Sequence, residues 1–170
     1  MKALYFTILI LSTSILTSIA QNSKKEEQNR EKEEQYQLVL KMVSSGQYEF
    51  VGRKANTQKG RQIDLTTNGN FLRINGETAT ADIPYFGRAY SAGYSSSDGG
   101  IKFDGTMEEY DAQQNDKKHR ILVKFKVKGA DDTFDCSLTI YGPQSATLYV
   151  ASNKKQGISY NGIINELKKE

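Results

Sequence analysis

Two Asn-Gly dipeptides, Asn68-Gly69 and Asn75-Gly76, stand seven residues apart between runs of strand-forming residues. Asn and Gly both tolerate positive φ, so the pair suits the central positions of a tight hairpin turn. Two of them at this spacing predict a meander of strands near 61–67, 70–74 and 77–84. The two-residue period then continues down the chain. Ile121, Val123, Phe125 and Val127 alternate with Leu122, Lys124, Lys126 and Lys128. Beyond a turn at 129–132, Phe134, Cys136, Leu138 and Ile140 alternate with Asp135, Ser137 and Thr139. Gly142-Pro143 turns the chain again, Ala146, Leu148 and Val150 mark a further strand, and a last short one is expected over Ile158 to Ile163. This gives eight to ten strands, each with one apolar face. Such a sheet buries that face by closing as a barrel or folding over as a sandwich. The fold expected is mainly β: a single antiparallel barrel-like or sandwich domain with one N-terminal helix.

Ahead of Gly46 the pattern is different. Lys2 precedes an apolar stretch, Leu4 to Leu11, broken only by Thr7, and small residues stand at Ser18 and Ala20. These are the parts of a secretory signal peptide covering 1–20, cleaved after Ala20. Hydroxyls at Ser12, Thr13, Ser14, Thr17 and Ser18 weaken the case for a membrane-spanning helix. No Cys lies near the cleavage point to carry a lipid. The mature chain therefore reads as exported, periplasmic or extracellular, with no transmembrane segment and no lipid anchor. Residues 21–35 form a charged lead-in. Ser23 and Glu26 make a capping box, and Lys24 to Glu34 holds four basic and five acidic residues without a large apolar one. That stretch is a solvated helix or a disordered tether. Tyr36, Val39, Leu40 and Val43 have helical spacing and can dock on a core, with Gly46 ending the helix. One β-rich domain then fills 36–170.

Composition excludes several functions. The chain has 170 residues and a formal charge of +3 spread over mixed signs, which gives no footprint for nucleic acid. A single Cys allows no internal disulfide, and a single His allows no site built from two imidazoles. Cys136 falls on the apolar face of its strand and reads as a buried structural thiol. His119, beside Lys117, Lys118 and Arg120, reads as a surface residue. No metal site and no cofactor motif are expected.

Residues 84–105, PYFGRAYSAGYSSSDGGIKFDG, are unusual: four aromatics before Ser95, five Gly, and Arg88 amid the rings. Ordering so much Gly and Ser is entropically costly, so something must hold the segment or it moves. Tyr, Ser and Gly are also the composition of adaptable binding surfaces. Tyr85, Phe86, Tyr90 and Tyr94 are candidates to stack on a sugar or planar ligand, with Arg88 holding an anionic group. The competing expectation is that the rings cap the open end of the core. Acids at Asp104, Glu108, Glu109 and Asp111, and again at Asp131, Asp132 and Asp135, are explained by turns and solvated surface. The Lys124, Lys126 and Lys128 stripe suits a protected sheet edge.

The segment IPYFGRAYSAGYSSSDGGIKFDG, the following KFKVKGADDTFDCSLTIYGPQSATLYVASNKKQGISYNG, and the opening QYEFVGRKANTQKGRQIDLT resemble a bacterial family, domain of unknown function 4251. The resemblance covers about residues 36–167, nearly the whole expected domain. It implies an envelope protein of bacteroidete-type bacteria, often exported or lipid-anchored. It brings no activity, cofactor or catalytic residues. The resulting expectation is a non-enzymatic binding module for a small molecule, glycan or envelope protein. One alternative is a carboxylate-based hydrolase using two of Asp82, Asp104, Glu108 and Glu109 across a cleft. The other is a structural or interaction protein using its charged N-terminal helix.

Overall fold

The computed structural model describes residues 2–67, 69–90 and 99–167, with side chains from Lys24 onward. The chain divides into two compact units, 1–34 and 35–170. Helix α1 (Lys2–Ser45) supplies the described part of the first. Ser23 lies inside this helix rather than at its start. From Lys24 to Glu34 every residue is exposed, and Arg30 faces Glu34 one turn away at 3.7 Å. Among the described residues, no helix is long and apolar enough to cross a membrane.

The second unit begins with the last turns of α1. Tyr36, Val39 and Val43, three and four residues apart, are all buried, as one face of a helix on a core requires. Gly46 ends the helix at φ +65°, its N–H donating to the Val43 carbonyl at 3.1 Å. Nine strands follow in order: β1 (Gln47–Asn56), β2 (Gln62–Asp64), β3 (Phe71–Asn75), β4 (Thr78–Ile83), β5 (Ile101–Asn115), β6 (Arg120–Lys128), β7 (Thr133–Gly142), β8 (Ser145–Ser152) and β9 (Ile158–Glu166). From β3 onward each pairs antiparallel with the next, and β9 returns to pair with β1. The result is a closed eight-stranded antiparallel barrel, with β2 as a short addition on β1. Closure removes the exposed edges that a sandwich would keep.

The first expected turn is corrected. β2 and β3 do not form a hairpin: both pair along β1, β2 at Lys54 to Asn56 and β3 at Gln47 to Phe50. Between those stretches β1 has no strand partner on that side, and the Asn70 side chain fills the gap. Its Oδ1 accepts from Gly52 N–H at 2.8 Å, and its Nδ2 donates to the Gly52 carbonyl at 3.0 Å. A buried amide thus replaces a missing ladder partner. Asn68 lies outside the described residues. The second Asn-Gly does make a two-residue hairpin, shifted by one position. Asn75 pairs with Thr78, so Gly76 and Glu77 are central, and only Gly76 has positive φ, at +62°. Gly at the first central position is the type II′ pattern.

Strand alternation fills the barrel. Tyr48, Phe50, Leu72, Ile74, Ile121, Leu138, Ile140, Leu148 and Tyr160 are each at most 1% exposed. An eight-stranded barrel is just wide enough to be packed by such side chains. The Cys136 thiol is buried among them, and burial with Asp135 nearby pushes its pKa well above the ordinary thiol value. The C-terminal turns of α1 cover one end. Tyr36 Oη donates to Asp116 Oδ1 at 2.7 Å, its ring lies 5.5 Å from His119, and the Gly46 carbonyl accepts from Gly76 N–H at 2.8 Å. His119 is therefore half-buried against Tyr36 rather than free on the surface. The opposite end carries the β1–β2, β4–β5, β6–β7 and β8–β9 connections.

β5 lies where the sequence pattern marks no strand. It runs for 15 residues, but only Ile101 and Phe103 are buried, and Glu108 to Gln114 are all exposed. Its pairing with β4 ends at Thr106, and a bulge at Glu109 (φ +55°) follows. From there it continues alongside β6 alone, so its sequence carries no apolar alternation.

Candidate functional site

At the uncovered end, the β1–β2 connection is a five-residue turn. Thr57 N–H donates to the Arg61 carbonyl at 2.9 Å, Gly60 N–H donates to the Thr57 carbonyl at 2.9 Å, and Gly60 takes φ +77°. This tight loop holds Gln58, Lys59 and Arg61 in place without using their side chains in the turn itself. Strand pairing between Asn56 and Ser159 sets the β8–β9 connection beside it. The amide of Gln156 donates to Gln58 Oε1 and ties the two loops together.

Residues 84–90 are fixed on the β8–β9 connection, while the Ser-rich stretch 91–98 lies outside the described residues. Ala89 and Lys155 form an antiparallel bridge. Tyr90 N–H donates to the Lys154 carbonyl at 2.8 Å, and Gln156 N–H donates to the Arg88 carbonyl at 3.0 Å. The Tyr85 hydroxyl lies 2.8 Å from both the Arg88 and Gln156 carbonyls, sharing its one proton between them. Tyr160 Oη reaches from the barrel interior to the Pro84 carbonyl at 2.9 Å. Lys155 Nζ donates to the Gly100 carbonyl and sits 5.5 Å from the Tyr85 ring centroid. Burial lowers the Lys155 pKa, an effect opposed by Asp132.

These three segments surround a cleft of about 680 Å³ lined by Thr57, Gln58, Lys59, Arg61, Ile63, Phe86, Gly87, Arg88, Gln156, Gly157 and Ile158. That volume is in the range of small-molecule sites. Of the five residues singled out from sequence, Phe86 and Arg88 line the cleft. Tyr85 lies behind them, half-buried against the core, and acts as a brace. Tyr90 is 65% exposed and does not line the cleft. Tyr94 lies outside the described residues. Sequence reasoning missed Lys59, Arg61 and Gln156; the signal open to it was cations beside Gly in two separate turns.

Chemically the cleft offers three cations, the flat apolar face of Phe86, aliphatic surface from Ile63 and Ile158, and neutral amides. Among the described residues, no Asp or Glu lines it. Asp82, Asp104 and Glu109 are engaged on strands β4 and β5: Asp82 with Lys102 at 3.3 Å, Asp104 accepting from Thr80 at 2.9 Å, and Glu109 with Lys126 at 2.7 Å. A second hollow, about 270 Å³, is lined by Glu109, Lys124, Lys126, Asp135, Ser137 and Tyr149 with parts of Phe125 and Cys136. Its charges neutralise one another within the wall. Among the described residues, no group of three or more His, Cys, Asp or Glu side chains can hold a metal ion.

A closed antiparallel barrel of eight strands with an apolar interior and one N-terminal helix is the class the fold defines. The chain belongs to the family described as Domain of unknown function (DUF4251), which matches it over residues 30–164. A DUF4251 family protein from Bacteroides eggerthii, known from a crystal structure, has a similar fold. It aligns at 20% identity and a TM-score of 0.61, covering 78% of this chain and 87% of that one. No curated protein matches the sequence.

Proposed function

We propose that this is an exported, non-enzymatic binding module whose ligand sits in the cleft at the open end of the barrel. The observation that carries the reading is the convergence of Phe86 and Arg88 with the 57–61 turn and residues 156–158 around one cavity. Rigid segments support it: a cleft braced by Tyr85, Tyr160 and the Ala89–Lys155 bridge needs little ordering when a ligand arrives. The acids considered for hydrolysis are absent from its wall, which disfavours the enzyme reading. Export rests on Lys2, the apolar run to Leu11 and the small residues at Ser18 and Ala20, with cleavage after Ala20. The mature protein is periplasmic or extracellular and not lipid-anchored. N-terminal sequencing of the secreted product should begin at Gln21; retention of residues 1–20 would contradict export by cleavage.

The test of binding is a thermal-melt screen against cell-wall fragments, glycans and small anions. A ligand at 100 times its dissociation constant stabilises by about 2.7 kcal/mol, a shift of several degrees. The shift should vanish when Phe86 and Arg88 are both replaced by Ala while the unliganded melt is unchanged. A shift that survives the double replacement would remove the site. The fully exposed charges of Lys24 to Glu34 favour a second reading, an interaction protein. Deleting them should then abolish capture of an envelope partner.

A further inference from the structure

We propose that the cleft is selective for a phosphomonoester, a doubly charged head joined to a planar apolar group. The inference rests on the binding-module reading and deepens it. Three cations of the barrel stand against acids: Arg73 with Glu49 at 2.6 Å, Lys102 with Asp82 at 3.3 Å and Lys126 with Glu109 at 2.7 Å. Lys59, Arg61 and Arg88 instead converge on one concavity, and among the described residues no carboxylate lines it and none of the three has an ion pair.

Uncompensated like charges in a cleft focus a positive potential and repel one another until an anion enters. A single negative charge leaves two of the three cations unmatched, whereas a dianion relieves most of the repulsion. Two of the cations are Arg, whose planar fork fits paired phosphoryl oxygens, and the third is a Lys able to act as a point charge. The cavity of about 680 Å³ is far larger than a bare tetrahedral oxyanion. Phe86, 40% exposed at its wall, offers a flat face for the remainder, continued by Ile63 and Ile158. The chemistry recognised is therefore an anionic head with a ring beside it.

Isothermal titration of the protein with phenyl phosphate, inorganic phosphate, decyl phosphate and phenyl β-glucoside tests this. Phenyl phosphate should bind at least about tenfold more tightly than the other three, and rising salt should weaken it. Arg61→Gln and Arg88→Gln should each weaken it roughly tenfold. Phe86→Leu should weaken phenyl phosphate and leave inorganic phosphate unchanged. Arg61, Phe86 and Arg88 are exposed, so the variants should melt as the parent does, and the melt is recorded to verify it. Glucoside binding that matches phenyl phosphate and survives Arg61→Gln would overturn the anion proposal while leaving a binding module. Equal or tighter binding of inorganic or decyl phosphate would overturn the planar group. Phenyl phosphate binding untouched by all three replacements would put the anion elsewhere. No binding by any probe would remove this proposal, and a blank melt screen as well would remove the module reading.

Discussion

Asn70 is a buried polar side chain that fills a gap in the sheet beside β1. It is 5% exposed and stands where strand β1 has lost its neighbour between β2 and β3. Gly52 is its counterpart. A Cβ there would come within 2.6 Å of Asn70 Oδ1, so only glycine lets the amide reach both backbone groups. Asn70→Ala should strand the Gly52 N–H and carbonyl in a buried position and cost about 1–3 kcal/mol, measured by urea denaturation. A change within error would show that the ladder gap is satisfied without the amide. Asn70 and Gly52 lie 18 residues apart, and nothing in the alternation of either strand marks them as a pair. By contrast, Phe86 and Arg88 were legible because rings and a cation in a Gly-rich segment are uncommon. Lys59 and Arg61 were not. Cations beside Gly60 read as an ordinary solvated turn until pairing of Asn56 with Ser159 brings residues 156–158 alongside.

At the scale of elements, α1 has two kinds of surface. Lys24 to Glu34 is exposed at every residue, whereas Tyr36, Val39 and Val43 belong to the core. Tyr36→Ala should destabilise by about 3 kcal/mol or more, since a large buried ring is lost. Tyr36→Phe keeps the ring and removes the hydroxyl that donates to Asp116, which should cost about 1 kcal/mol. Similar costs for both, read from thermal melts, would mean that the hydrogen bond rather than the ring docks the helix. The helical spacing of Tyr36, Val39 and Val43 made this element readable in advance, and strands β6, β7 and β8 were equally plain. β5 was not. Beyond the bulge at Glu109 it pairs with β6 alone, and there the two-residue apolar period disappears. The hairpin signal at Asn75-Gly76 was right about the turn and off by one position, because φ is positive at Gly76 alone.

At the scale of the molecule, the packed interior makes stability sensitive to alkali. Burial raises the pKa values of Cys136, Tyr48 and Tyr160 above their ordinary values. In the unfolded chain these groups release protons from about pH 8.5 for Cys and about 10 for Tyr. The folded protein still holds its protons there, so the unfolded state binds fewer and stability falls as pH rises. The contribution is fully present below about pH 8 and declines above it, first through Cys136 and then through the two tyrosines. Cys136→Ala should flatten the first part of that decline in denaturation midpoints between about pH 8 and 10. An unchanged slope would show that the thiol is not the group responsible.

The ligand site we propose lies at the open end of the barrel. The most direct test is a titration of isotope-labelled protein with phenyl phosphate and phenyl β-glucoside, followed through backbone amide chemical shifts. The account predicts that at least one probe moves the amides of Thr57–Arg61, Phe86–Arg88 and Gln156–Ile158 together, while strands β6 and β7 stay still. Shifts gathered instead at Lys124, Asp135 and Tyr149, or none at the open end with either probe, would contradict it.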